Sequence, residues 1–265
     1  SNTALTREKI SVCTMFDPQT LAVGTESGMV YILGTDGKLL RSYKAHDCLI
    51  NDISVDYYGT MACCSDNGTV VLYQLPSLGT TLADEKPTVV HCNEPVKSIC
   101  VGNSMETLQK FTVLKNNREI LHKNSSRNEA GAGENTASNN SNKRTEWCFV
   151  AGSATGQLSR HRISWYSQKK DILFAGAGTA VTTIAWLGDL IAWADALQVR
   201  IMDANTLTAI CYLDSPSGVG TTSLPCSLCW ASEHDLFVGW ADSFRHLELM
   251  ASADIVSQSS SVNAG

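Results

Sequence analysis

Residues 50–73 read INDISVDYYGTMACCSDNGTVVLY, and the spacing of turn residues within them decides how the whole chain is parsed. Ile50–Val55 and Met61–Cys63 are short apolar runs separated by a turn. Cys64-Ser-Asp-Asn-Gly-Thr-Val-Val-Leu72 then reverses the chain at Asn67-Gly68, since tight reversals between strands need positive φ, which glycine adopts without steric cost. The same order recurs upstream in Gly24-Thr-Glu-Ser-Gly-Met-Val-Tyr-Ile32, where Gly28 stands 40 residues before Gly68. A third copy is Gly152-Ser-Ala-Thr-Gly-Gln-Leu158. Two variants follow, Trp193-Ala-Asp-Ala-Leu-Gln-Val-Arg-Ile201 and Trp240-Ala-Asp-Ser-Phe-Arg-His-Leu247.

Each copy follows a short apolar strand: Leu21–Val23, Met61–Cys63, Cys148–Ala151, Leu190–Ala192 and Leu236–Val238. Upstream of each lies another: Ile10–Cys13, Ile50–Val55, Val96–Val101, Val181–Trp186 and Cys226–Trp230. With a fourth strand such as Lys38–Tyr43, the unit is four strands every ~40 to 45 residues, the signature of a β-propeller blade. Five blade cores can be counted, and neither heptads nor β-α alternation is present, so the fold class is all-β. A closed ring of the family that these repeats resemble, named below, would have about seven blades, roughly 300 residues. The expectation is a partial propeller over 1–265, ending in SQSSSVNAG where a sixth blade would begin.

The third blade is interrupted. From His122 to Glu146 the only apolar side chains are alanines, so this stretch cannot bury enough surface to offset its ordering entropy. It is expected to be a disordered insert within the blade, preceded by a marginal strand at Phe111–Leu114. Residues 175–194, AGAGTAVTTIAWLGDLIAWA, are long enough to span a bilayer. The Leu187-Gly188-Asp189 turn and the β-branched Val181–Ile184 favour two buried strands instead.

Composition narrows the function. A hydrophobic fraction of 43% suits a globular core, and a net charge of −6 lacks the basic footprint of nucleic-acid binding or of attraction to anionic lipid. Ten cysteines are too few for a disulfide scaffold, and several sit in apolar runs as small hydrophobes, pointing to a reducing, cytoplasmic setting. The N-terminal SNTALTREKISV has no apolar core and is not a signal peptide.

The candidate reactive groups resolve toward structure. Cys226-x-x-Cys229 supplies two ligands where zinc needs about four, and on a strand residues three apart face opposite sides. No second Cys-x-x-Cys or His-x3-5-His accompanies it, so no metal, cofactor or catalytic residue is assigned. Asp195 and Asp242 recur in equivalent Trp-Ala-Asp turns, which is turn chemistry. Trp186, Trp193, Trp230 and Trp240 could form a ligand cage but suit packing between blades. His46 is a turn or inter-blade hydrogen-bonding residue, with no nucleophile nearby to serve as its base. Asn67-Gly-Thr69 and Asn124-Ser-Ser126 match glycosylation sequons, idle without a secretory leader.

The repeats resemble degenerate WD repeats. Ala45-His46 is similar to that family's Gly-His dipeptide, and Val70-Val-Leu-Tyr73 takes the place of the strand ending in Trp-Asp. Ser27 and Asn67 replace the hairpin aspartate, so the buried Asp-His-Ser-Trp network of WD repeats is not expected intact. Taken in order, LAVGTESGMVYIL, the opening stretch, TIAWLGDLIAWADALQVRIMD and PCSLCWASEHDLFVGW resemble the N-terminal propeller of the vacuolar protein sorting-associated protein 41 family. Asp254–Gln258 resembles the segment that opens the next blade there. The resemblance implies a non-enzymatic subunit of the HOPS membrane-tethering complex, peripheral on late endosome, lysosome or vacuole membranes through its partners. Those partners would be the other HOPS core subunits, a late-endosomal Rab-type GTPase or its effector, and trafficking adaptors. No protein-binding residue is assigned by sequence. The alternatives are a WD-type adaptor such as a ubiquitin-ligase substrate receptor, and an enzyme built around Cys226.

Overall fold

The computed structural model describes residues 8–56, 59–75, 86–102, 146–164, 166–216, 224–241 and 243–250. These hold strands and no helix. The first blade is β1 (Ile10–Asp17), β2 (Thr20–Thr25), β3 (Met29–Gly34) and β4 (Leu39–Lys44). The second is β5 (Ile50–Val55), β6 (Thr60–Ser65), β7 (Thr69–Gln74) and β8 (Thr88–His91). The third is β9 (Val96–Val101), β10 (Glu146–Ser153), β11 (Leu158–Ser164) and β12 (Gln168–Phe174). The fourth is β13 (Thr183–Leu187), β14 (Leu190–Ala194), β15 (Gln198–Asp203) and β16 (Thr208–Asp214). The fifth has three described strands, β17 (Ser227–Trp230), β18 (Asp235–Gly239) and β19 (Phe244–Glu248). Every sheet is an antiparallel meander in chain order.

The blades stack through four cores. Ala22, Val30 and Ile32 of the first blade meet Ile50, Met61 and Cys63 of the second. The other side of the second blade, with Ala62, Cys64 and Leu72, meets Val96, Ile99 and Phe149 of the third. Val150 and Leu158 then meet Ile184, Ile191 and Trp193, and Ala192, Ala194 and Ile201 meet Leu236 and Val238 of the fifth. Because alternate residues of a strand face opposite sides, a blade between two others must be apolar on both, and all six residues of β6 are buried. The sheets thus form an arc: among the described residues no comparable packing joins the fifth sheet to the first. Each later blade enters the stack by its first strand, β5, β9, β13 or β17, which meets the first and second strands of the blade before it.

The β9–β10 pairing sets Val101 opposite Phe149, and Gly102 donates its N–H to Cys148 O at 2.8 Å. Residues 103–145 therefore fall between two paired strands. The marginal strand Phe111–Leu114 and nearly all of the insert 122–146 lie outside the described residues, as do Asp242, Asn124 and the segment 254–258. Strand bounds shift slightly from the sequence reading: β13 starts at Thr183, and Cys226 stands just before β17.

Antiparallel order puts the β2–β3, β6–β7, β10–β11, β14–β15 and β18–β19 hairpins on one face of the arc, beside the connections from each blade to the next. Gly28, Gly68 and Gly156, at the tips of the first three, have φ of 84°, 73° and 87°. Gly28 is held against the following connection, where a Cβ would meet His46 O at 2.0 Å.

Candidate interaction face

The hairpin face is assembled from a repeated polar device. In TESG, SDNG and SATG, the hydroxyl at the first position meets the side chain two residues on. Thr25 and Ser27 hydroxyls lie 3.0 Å apart, Ser153 and Thr155 hydroxyls 2.8 Å apart, and the Ser65 hydroxyl donates to Asn67 Oδ1. Such local hydrogen bonds are how short polar side chains fix a turn. In the first and third blades the second hydroxyl donates onward to a carboxylate just before the blade's first strand: Ser27 to Glu8 at 2.7 Å and Thr155 to Glu94 at 2.7 Å. In the fourth hairpin Asp195 accepts from the Leu197 and Gln198 N–H groups and pairs with Arg200 at 2.6 Å, nearly buried. Arg200 and the backbone donors hold the Asp195 carboxyl below the usual range against the upward pull of burial, the largest single influence on it.

The second blade has Asn67 where a WD repeat has its hairpin aspartate. A network does form around His46, with Asn67 in the aspartate's position. His46 is buried, its Nδ1 2.9 Å from Ser65 Oγ and 3.0 Å from Thr69 Oγ1. Both hydroxyls donate to Asn67 Oδ1, which also accepts the Thr69 N–H at 3.0 Å. The ring thus faces these two hydroxyls through Nδ1 and the Cys63 carbonyl oxygen, 3.3 Å away, through Nε2. Nε2 lies 3.4 Å from Cys63 Sγ. Burial lowers the His46 pKa, and burial pushes the Cys63 thiol up to about 12. A neutral imidazole beside a protonated thiol, both enclosed, holds strands together and leaves no thiolate to attack a substrate.

Between the second and third blades the face opens into a hollow of about 210 Å³ lined by Asp66, Asn67, Gly68, His91, Asn93, Glu94 and Pro95. Lys97 pairs with Asp66 at 2.6 Å, and Asn51 donates to Asp66 at 2.8 Å. The Lys97 hydrogen bond first, and Asn51 after it, draw the Asp66 carboxyl below its ordinary range. The Thr155 and Ser153 hydroxyls do the same to Glu94. Both acids are ionised at neutral pH.

The remaining sequence candidates do not converge. Cys226 is buried against the fourth blade, whereas Cys229 is exposed on the opposite side of the fifth. Burial pushes the Cys226 thiol up to about 11. Among the described residues no group of three or more His, Cys, Asp or Glu side chains is arranged to hold a metal. Trp186 and Trp193 sit in the seam between blades three and four, Trp230 and Trp240 in the next. Trp230 spans the latter, donating Nε1–H to Ala185 O at 3.1 Å. A second buried histidine, His161, stacks on Phe149 with centroids 4.8 Å apart. Sequence reading missed it, and missed the Glu8–Ser27 and Glu94–Thr155 bonds. The hydroxyl spacing in TESG and SATG was the visible signal for those bonds.

The family model Beta-prop_Vps41, described as "Vps42 beta-propeller", matches residues 1–128 and 134–264, nearly the whole chain. The chain belongs to this family. Curated relatives in the Vps41 family include the vacuolar protein sorting-associated protein 41 homolog of Arabidopsis thaliana, 25% identical over 91% of this chain and 20% of the relative. The human homolog is 26% identical over 92% of this chain and 23% of its own length. The chain therefore spans about a fifth of the relatives it matches. The crystal structure of the Cps50 (Swd1) β-propeller domain of Myceliophteria thermophila superposes with a TM-score of 0.59 at 16% identity, covering 92% of this chain and 67% of that one. That likeness is one of fold. No helix among the described residues is long and apolar enough to cross a membrane.

Proposed function

We propose that this propeller is a non-catalytic protein-interaction module of a vacuolar trafficking assembly of the HOPS tethering type. The observation that carries the reading is the Vps41-family match along almost the entire chain, together with the vacuolar protein sorting names of its relatives. The chemistry of the hairpin face supports it. Its histidine is neutral and enclosed, the neighbouring Cys63 thiol is protonated, and its carboxylates are tied into turns, so its groups serve display rather than turnover. Loops on a stiff scaffold are the usual place for partner recognition. The partners in this reading are the other tethering-complex subunits, a late-endosomal Rab-type GTPase or its effector, and trafficking adaptors. Membrane association on late endosome, lysosome or vacuole would run through them, from the cytoplasmic side.

Affinity purification of the full-length protein carrying this propeller, followed by mass spectrometry, tests the reading. Recovery of the other tethering subunits in comparable amounts is expected. Recovery of ubiquitin-ligase components in their place would make this a WD-type adaptor of another assembly.

A further inference from the structure

The outer edges of the third and fourth blades carry a charge pattern opposite to that of the chain as a whole. In the β11–β12 ladder Arg160 stands across from Asp171 and Arg162 across from Lys169, and residues opposed in an antiparallel ladder share a face. That face is turned toward the fourth blade: Arg160 Nη1 donates to Ala204 O at 3.2 Å, and Phe174 lies 5.4 Å from Trp193. From the fourth blade Arg200 reaches back over the Phe174 ring at 5.0 Å. Tyr212 stands across the β15–β16 ladder from Arg200 and is 74% exposed, with Ile210 nearby at 45%.

The seam therefore gathers Arg160, Arg162, Lys169 and Arg200 against two carboxylates, Asp171 and Asp195, within a chain whose net charge is −6. Asp195 is spent on Arg200, and Asp171 is shared between Arg162 at 2.7 Å and Arg160 at 3.4 Å. Asp203, in the neighbouring turn, accepts the Asn205 and Thr206 N–H groups, which keep it ionised at the margin of the seam. The buried Nε–H groups of Arg160 and Arg162 both find no acceptor among the described residues. Buried donors without acceptors are uncommon, and guanidinium groups are shaped to take carboxylates two bonds at a time.

We propose that this seam is a docking surface for an acidic segment of a partner protein, with carboxylates meeting Arg160, Arg162 and Lys169 and an apolar side chain resting on Tyr212 and Ile210. This goes beyond membership of a tethering assembly and does not depend on it. A peptide fits better than a bilayer. Arg160 and Arg200 are recessed, with 18% and 15% of their side chains exposed, so a flat anionic surface could not reach them, while an extended chain can enter between two blade edges. A β-strand addition is disfavoured because both outer strands are bulged, β12 at Leu173 opposite the Leu158–Ser159 step and β16 at Ile210 opposite the Ile201–Met202 step, which breaks the regular edge.

The test uses the whole chain and fluorescence anisotropy with a labelled peptide of alternating glutamate and phenylalanine. Its glutamine counterpart and vesicles of phosphatidylserine serve as comparisons. Binding of the glutamate peptide alone is expected, weakening as salt is raised. Lys169→Glu and Tyr212→Ser, both on exposed side chains, should each weaken it, and Arg162→Glu with Lys169→Glu should weaken it at least tenfold. Lys38→Glu, on a turn of the first blade, should leave it unchanged. Equal binding of the glutamine peptide, binding of vesicles but not of peptide, or undiminished binding by a folded Lys169→Glu variant would each overturn the proposal.

Discussion

The Asp52 carboxylate in the second blade accepts the Ile99 N–H of the third at 2.9 Å, through Oδ2, while its Oδ1 takes the Ile53 N–H at 2.8 Å. Two residues on from it in the same β5 strand, Ser54 Oγ accepts the Val101 N–H at 3.0 Å. Side chains of one first strand thus satisfy the free backbone edge of the next. Burial pushes the Asp52 carboxyl up from 3.8 to about 7, although both N–H groups pull it down. A folded acid with a raised pKa keeps its proton longer than the unfolded chain does, so this group makes stability fall as pH rises from about 4 to about 7. Asp52→Asn should remove that fall, on the order of 4 kcal/mol, when urea unfolding is compared at pH 4 and pH 8. Asp52→Ala, which leaves Ile99 without an acceptor, should be about 1–3 kcal/mol less stable than Asp52→Asn. Parallel pH dependence in wild type and Asp52→Asn would show that Asp52 does not titrate in this range.

Asn67 holds three donors on one amide oxygen, a task a carboxylate does better. Asn67→Asp should therefore raise the His46 pKa, because the added negative charge favours the imidazolium. In the wild type burial depresses that pKa, so His46 contributes stability that is present above about 6.5 and lost as pH falls below it. The variant should lose less on acidification. Titration of the His46 ring signals by NMR checks the direction, and an unchanged midpoint would mean the network does not couple to the ring.

Gly28 and Gly37 have nearly the same backbone, φ of 84° and 79°, yet differ in surroundings. A Cβ on Gly37 meets nothing within 4 Å, whereas one on Gly28 meets His46 O at 2.0 Å. Gly37→Ala should cost only the left-handed strain, about 1–2 kcal/mol. Gly28→Ala must also displace the connection to the second blade and should cost well beyond that. Equal losses in thermal melts would show that the connection yields freely.

Blade rhythm was legible in the sequence because inner strands, buried on both sides, are apolar runs bounded by turn residues, as in Thr60–Ser65. Outer strands hid themselves. Gln168–Phe174 begins Gln-Lys-Lys-Asp and looks like a loop, because an outer strand packs weakly and tolerates charge. That is also why the basic seam escaped notice: Arg162 and Lys169 are opposed only through ladder register. The His46 network was underestimated because an aspartate was sought where an asparagine supplies the acceptor. Asp52 carried no signal at all, since its partner belongs to the next blade, 47 residues away.

The two cysteines of Cys226-x-x-Cys229 should behave as unrelated thiols. Cys229 is exposed and should be alkylated rapidly in the native protein, while Cys226, buried and with its pKa pushed up to about 11, should react only on unfolding. Purified protein should carry no zinc dependent on either residue. Stoichiometric zinc lost in Cys226→Ser or Cys229→Ser would reverse this assignment.

The ends of the arc give the last prediction. In the fourth seam Leu236 and Val238 are buried against the fourth blade, but the other side of the same sheet presents Cys229, Phe237 and Phe244, with Phe244 66% exposed and stacked 5.4 Å from Phe237. At the other end, β1 turns Cys13 and Met15 outward, and Met15 is 60% exposed. Each internal seam covers faces of this kind with a neighbouring blade, so these two present apolar surface of the sort that associates. The 265-residue chain is expected to self-associate as its concentration rises. Phe244→Glu and Met15→Glu, each on an end face and outside the four cores, should lower the mass seen by light scattering without lowering the melting temperature appreciably. A wild-type chain that stays monomeric and melts in one sharp transition would mean that the end faces are covered in solution and that the arc closes on itself.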